Sequence, residues 1–203
     1  MSTLLQINSS ILGEKGQSSR LADAFTAQWR ALNPGATVIR RDLAEQGVPH
    51  LDGERFTALL TAPEQRSAQQ QAVVDYSDAL IEELRAADTL VIGLPLYNFG
   101  TPSGLKAYFD HVARAGVTFR YTANGPEGLL RDRPTVVFAA RGGLYAGTSS
   151  DMQTGFIRHF LGFIGIRSVE FVYAEGLNID AQTREAALAG AQASMGALLP
   201  LAS

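Results

Sequence analysis

Apolar residues along the chain fall into two rhythms, short unbroken runs and stripes at three- and four-residue spacing, and the two alternate. Leu4-Leu5-Gln6-Ile7 is a short run that stops at Asn8-Ser9-Ser10, which predicts a buried strand feeding a polar loop. From Ser18 onward Leu21, Ala24, Phe25, Trp29 and Leu32 recur at helical spacing until Asn33-Pro34-Gly35 stops them. Ala36 to Arg40 predicts a second strand, and Asp42 to Ala62 mixes its signals and predicts a loop or short helix. Pro63 to Arg85 then predicts a long helix with Val73, Tyr76, Leu80 and Leu84 as its buried stripe. Asp88 to Leu94 is a near-continuous apolar run, as when both faces of a parallel sheet are covered, and Pro95 ends its ladder.

Ser103 is expected to cap a helix carrying Leu105, Tyr108, Phe109 and Val112. Gly116 to Arg133 is too polar and glycine-rich for core and reads as an excursion. Pro134 to Ala140 predicts a buried strand, Arg141 to Asp151 a loop, and Phe156, Ile157, Phe160, Leu161 and Ile164 the next helical stripe. Val169 to Tyr173 is the last strand, and Asp180 opens a terminal helix. Strands alternating with helices predict a doubly wound α/β sandwich: a five-stranded parallel sheet in the order 2-1-3-4-5, helices on both faces, one domain over residues 1–203. Ligands of such sheets bind beyond the carboxyl ends of the strands, so the loops after the first, third and fourth strands are the ones to inspect.

Composition narrows the chemistry. Hydrophobic residues are 46% and charged residues 18%, as in a folded globular chain, and a net charge of −3 offers neither a nucleic-acid surface nor a polybasic membrane patch. With no cysteine there is no disulfide framework, thiol nucleophile or cysteine zinc site. Met1-Ser2-Thr3-Leu4-Leu5 lacks a basic signal-peptide region, and no stretch approaches the roughly 18 apolar residues of a membrane span, so the expected location is cytoplasmic. His50, His111 and His159 are scattered without metal-motif spacing, and no metal is expected.

The first loop, Ser9 to Ser19, sets hydroxyls, glycines and free amides at the start of a helix, a composition that suits a phosphate. Walker A and G-x-G-x-x-G patterns are both absent; the plain alternative is that Ser18 or Ser19 is an N-cap. The second loop, Pro95 to Ser103, carries Tyr97, Asn98 and Phe99, apolar faces and an amide that suit a flat heteroaromatic ring, or else form a surface turn. In the third, Ala139 to Tyr145, Gly142 and Gly143 let backbone amides approach a ligand, or simply turn a strand into a helix.

Together these loops resemble those of the flavodoxin-like FMN-dependent NADH-azoreductases, bacterial azo and quinone reductases. The resemblance runs through Ser9-Ser10-Ile11-Leu12, Tyr97-Asn98-Phe99, Ala113 to Tyr121, Asn124-Gly125-Pro126-Glu127-Gly128 and Phe160 to Gly165. It implies that Ser10, Gly16, Gln17 and Ser18 hold the FMN phosphate, that Pro95, Leu96, Tyr97, Asn98 and Phe99 hold the isoalloxazine, and that Ala140, Arg141, Gly142 and Gly143 meet its pyrimidine edge. Leu96, Ala140 and Gly16 stand where the family commonly has Met, Ser and Ser. The resemblance further implies ping-pong hydride transfer from NADH or NADPH to quinones or aromatic azo compounds, with no side chain obliged to act as catalyst. A homodimer is implied, with residues of one subunit roofing the flavin of the other. Tyr121, Phe163 and Tyr145 are the expected substrate wall, and Arg55, Arg120 and Arg141 the candidates for a 2′-phosphate of NADPH. The alternative is a flavin-binding carrier or signalling module that does not itself oxidise NAD(P)H.

Overall fold

The central strands are unbroken apolar runs, and every residue of β3 (Thr89–Pro95) and β6 (Thr135–Ala140) is buried, as the two-sided burial of a parallel sheet requires. The structure, a computed structural model, describes residues 2–199; Met1 and residues 200–203, the ends of the expected domain, lie outside the described residues. β1 (Thr3–Asn8) pairs with β3 on one side and with β2 (Thr37–Asp42) on the other, and β6 pairs with β7 (Val169–Ala174). All four pairings are parallel, and the order β2-β1-β3-β6-β7 is the expected 2-1-3-4-5 once the sheet strands alone are counted.

Alternation along the strands divides the core between two faces. Leu5, Ile7, Leu90, Ile92 and Val137 pack with α3 (Ala68–Ala86), α4 (Ser103–Val112) and α5 (Met152–Phe163). Their neighbours Leu4, Val91, Val136 and Phe138 pack against α1 (Gln17–Leu32) and α6 (Ala181–Ala197).

Two local expectations change, and two segments left open gain a definite structure. The stretch from Pro63 is not one helix: Pro63–Gln65 makes a single tight turn, and Ser67 and Gln70 then form a reciprocal capping box that starts α3 afresh. This phase buries Val74, while Val73 is only half-buried. Ser103 is the first residue of α4, not its cap; Pro102 holds the cap position without a side-chain hydrogen bond. The mixed segment contains a helix, α2 (Gly53–Leu60), started by the Asp52 carboxylate accepting from Arg55 N. The excursion folds as an antiparallel hairpin, β4 (Phe119–Thr122) and β5 (Gly125–Gly128).

Candidate functional site

The first loop is stitched to the sheet before it reaches its helix. Ser9 donates to the Gly93 carbonyl with both its amide (3.2 Å) and its hydroxyl (2.7 Å). Ser10, 1% exposed, accepts from Leu12 N at 3.2 Å and shares a 3.1 Å hydrogen bond with the Tyr97 hydroxyl, which also accepts from Ile11 N. A tight turn at Gly13–Lys15 delivers the chain to Gly16, the N-cap of α1, where no side chain caps the helix. A Cβ on Gly16 would lie 2.2 Å from Ser10 Oγ, so a residue without one is what lets Ser10 sit beneath the helix start. The first amide to bond back into α1 is Arg20 N, to Gly16 O. The amides of Gln17, Ser18 and Ser19 therefore open the helix as spare donors, and the fully buried hydroxyls of Ser18 and Ser19 have no partner among the described residues. Buried donors without acceptors at a helix N-terminus form a site for an anion.

The second loop is bent by a four-residue turn. Gly100 N donates to Tyr97 O at 2.9 Å, and the two central residues, Asn98 (φ 49°) and Phe99 (φ 63°), are both left-handed without being glycine. Such residues cost of order 1–3 kcal/mol each and persist only where their surroundings hold them. Leu96 N binds Ala140 O, and Gln153 of α5 donates to Pro95 O and Gly100 O, while Asn98 and Phe99 stay exposed.

The third loop continues the pairing of β6 with β7. Arg141 N donates to Ala174 O, and Leu177, Asn178 and Gly176 donate to the carbonyls of Arg141, Gly142 and Gly143. Gly142 passes so near Asn178 that a Cβ would lie 2.6 Å from its Nδ2.

The expectation for Arg141 is corrected here. Its guanidinium is buried between Asp151 (2.9 Å) and Glu175 (3.1 Å), over the Tyr173 ring, and both its backbone groups are already bonded. It cannot reach a ligand phosphate; it anchors the loop from inside. Burial alone would raise the Asp151 carboxyl, but hydrogen bonds from Arg141 and from the Thr154 amide and hydroxyl outweigh it and hold the group below its ordinary range. Glu175 also accepts from Tyr145 N and Ala146 N, which sets the Tyr145 ring edge-on to Phe99 at 5.9 Å. The second loop thus meets the first through Tyr97 and the third through Tyr145.

Tyr121 and Phe163 lie elsewhere. α5 starts at the carboxyl edge and runs back across the sheet, and Phe163 is ten residues beyond Gln153, about 15 Å along the helix at 1.5 Å per residue. There Phe163 packs on Phe119 at 4.3 Å, and Phe119 meets Tyr121 edge-on at 5.5 Å. Leu130 N donates to Ile164 O, and the hairpin leaves Tyr121 76% exposed. Within one chain this aromatic group belongs to the amino end of the sheet. Arg120 is paired with Glu127 on the same hairpin, and Arg55 faces an open groove between α2 and α3. Gln153, Asp151 and Glu175 are residues that sequence reasoning passed over; only Asp151, placed to cap α5 three residues before Thr154, carried a local signal.

A flavodoxin-like family model matches residues 2–199. The chain is 57% identical over 179 residues to the FMN-dependent NADH:quinone oxidoreductase of Cellvibrio japonicus, covering 88% of this chain and 90% of the relative. It is 54% identical over 192 residues to that of Alcanivorax borkumensis, covering 95% and 97%. Among solved structures, an azoreductase from Bacillus anthracis superposes with a TM-score of 0.87 at 28% identity, covering 97% of this chain and 98% of that one. An FMN-dependent NADH-azoreductase from the same species, in complex with FMN, gives 0.86 at 26% identity, covering 98% and 99%.

Proposed function

The chain belongs to the flavodoxin-like family of FMN-dependent NADH:quinone oxidoreductases and azoreductases, and from that membership we propose how its own residues carry the activity. It is an FMN-dependent NADH:quinone oxidoreductase, and its acceptors extend to aromatic azo compounds. FMN, when bound, supplies the two-electron hydride chemistry that couples NADH oxidation to acceptor reduction. The observation that carries the site is the start of α1: three spare amides above the buried, unpartnered Ser18 hydroxyl fit a phosphate dianion. Ser10, Gly16, Gln17 and Ser18 hold that phosphate. Pro95, Leu96, Tyr97, Asn98 and Phe99 hold the ring, with the Asn98 amide free for a polar edge. Ala140, Gly142 and Gly143 line the pyrimidine edge, where the glycines admit close approach, and Arg141 supports them without touching the ligand.

Tyr145, edge-on to Phe99, borders the acceptor pocket of its own chain. Tyr121 and Phe163, gathered at the other end of the sheet, serve the site of a second copy in a homodimer. NADH is the co-substrate in the names of the relatives; of the arginines considered for a 2′-phosphate, Arg141 is buried, Arg120 is paired with Glu127 and Arg55 faces the groove between α2 and α3. The protein works as one domain in the cytoplasm. No helix among the described residues is long and apolar enough to cross a membrane.

The test is anaerobic stopped-flow mixing of FMN-reconstituted protein with NADH and then with a benzoquinone or an azo dye. Rapid bleaching of the visible flavin absorbance and rapid recovery are expected. Failure to bind FMN removes the site assignment, and FMN that NADH cannot bleach makes the protein a carrier.

A further inference from the structure

Gln153 lies in the first turn of α5, is 1% exposed, and reaches across to the second loop. Its Nε2 donates to Pro95 O at 2.9 Å and to Gly100 O at 3.0 Å, the carbonyls on either side of the strained turn. The turn's own closure is weak at that end, since Tyr97 N reaches Gly100 O only at 3.4 Å. Turns with two left-handed central residues favour Asn followed by Gly, and here the second position is Phe99, so the conformation needs outside support. The amide has one workable orientation. Exchanging its oxygen and nitrogen would aim an acceptor at two carbonyls, and in the orientation it adopts Oε1 is left buried without a partner. An idle buried acceptor is costly, and the two donated bonds offset it.

We infer that Gln153 is a positioning residue: its amide clamps the Tyr97–Gly100 turn and so sets how tightly the loop carrying Asn98 and Phe99 holds a flavin ring. The assignment of the ring to this loop rests on the proposed function; the clamp itself does not.

Two variants separate donation from packing. Gln153→Glu keeps shape and volume but presents acceptors to both carbonyls, and Gln153→Met keeps length and volume without a donor. Hydrogen–deuterium exchange on the FMN-free protein reads the turn directly. We expect the Tyr97 and Gly100 amides, the two that are hydrogen-bonded in the turn, to exchange about tenfold or more faster in both variants, at roughly a factor of ten per lost hydrogen bond, with the sheet amides unchanged. FMN affinity, read by quenching of flavin fluorescence, should fall by about tenfold in Gln153→Met and further in Gln153→Glu, with an altered visible circular dichroism of the bound flavin. Wild-type exchange at the turn in Gln153→Met overturns the clamp. So does a Gln153→Glu protein that behaves as wild type, since packing would then suffice, and so does faster exchange spread over the whole sheet, which would make the role merely structural. Wild-type protein that does not bind FMN defeats the proposed function instead, and the exchange result still decides the clamp.

Discussion

At the carboxyl end of the sheet, Ser10 reaches Tyr97, Gln153 of α5 spans the turn beyond β3, and Arg141 joins Asp151 to Glu175, each link a hydrogen bond or ion pair between separate segments. At the amino end the β4–β5 hairpin is held by backbone pairing and by the chain of rings Phe163, Phe119 and Tyr121, the last of them 76% exposed. One end concentrates strain, orphaned hydroxyls and buried charge, features that lower stability unless a ligand or a network answers them. The other leaves an aromatic ring in solvent that costs the folded chain little and offers a surface to something outside it. On the proposed function, the end that holds FMN and the ring that meets the acceptor lie on opposite edges of the same sheet, so the proposal requires a second copy to bring them together.

The comparison breaks most sharply at Arg141. Arg141→Met leaves the carboxylates of Asp151 and Glu175, 8% and 13% exposed, without their cation, and removing one partner of a buried pair costs about 3–5 kcal/mol. Urea unfolding should show that loss at neutral pH, with FMN binding lost alongside it. The pH dependence has a definite sign. The Asp151 carboxyl is held below its ordinary value in the folded protein, so its contribution is full above the unfolded value of about 3.9 and disappears as pH falls through the lowered one. In the variant burial is no longer outweighed by Arg141. The gap between variant and wild type should therefore narrow below pH about 4, and a gap that does not change with pH would place the loss in packing.

Ser18 tests the opposite economy. Its hydroxyl is buried without a partner, so Ser18→Ala should leave the FMN-free protein as stable as wild type or slightly more stable. FMN affinity should fall by about ten- to a hundredfold, since a hydrogen bond to a charged group contributes about 1.5–3 kcal/mol. Matching losses of stability and affinity would mean that the hydroxyl serves the fold. Gly16→Ala probes the same corner by displacement, because its Cβ would fall on Ser10 Oγ and part Ser10 from Tyr97. FMN affinity should drop about tenfold, with a smaller loss of melting temperature.

What the sequence made legible follows from how local each cause is. The strand runs, the helical stripe from Leu21 to Trp29 and the breaks at Asn33-Pro34-Gly35 and Pro95 are written in neighbouring residues, and the sheet order follows from chain connectivity. The three loops could be located because strands of such a sheet end on one edge. Gln153, Glu175 and the inward turn of Arg141 could not, because each depends on partners 10 to 58 residues away that only the folded chain brings near. An arginine beside two glycines reads as a ligand for phosphate until Asp151 and Glu175 are seen to bury it. Val73 and Val74 show the same limit at smaller scale: the expected stripe holds at Leu80 and Leu84, but in the first turns of α3, which start afresh at the capping box of Ser67 and Gln70, Val74 and Ser77 are buried in place of Val73 and Tyr76.

Tyr121 carries the smallest expected effect on the fold and the most direct bearing on the two-ended arrangement. Its ring contacts Phe119 edge-on and is otherwise in solvent, so Tyr121→Ala should change stability by no more than about 0.5 kcal/mol and leave FMN content intact. If its ring roofs the site of a second copy, the quinone KM should rise several-fold while the rate of flavin bleaching by NADH changes less. Mixing tells where the ring acts. A dimer formed from one Tyr121→Ala chain and one Ser18→Ala chain retains an intact FMN cradle in the first, roofed by an intact Tyr121 from the second, and should regain about half the wild-type activity under acceptor-limited conditions. If the ring instead acted within its own chain, no subunit of that mixed dimer would combine both features, and activity would stay at the level of the parents.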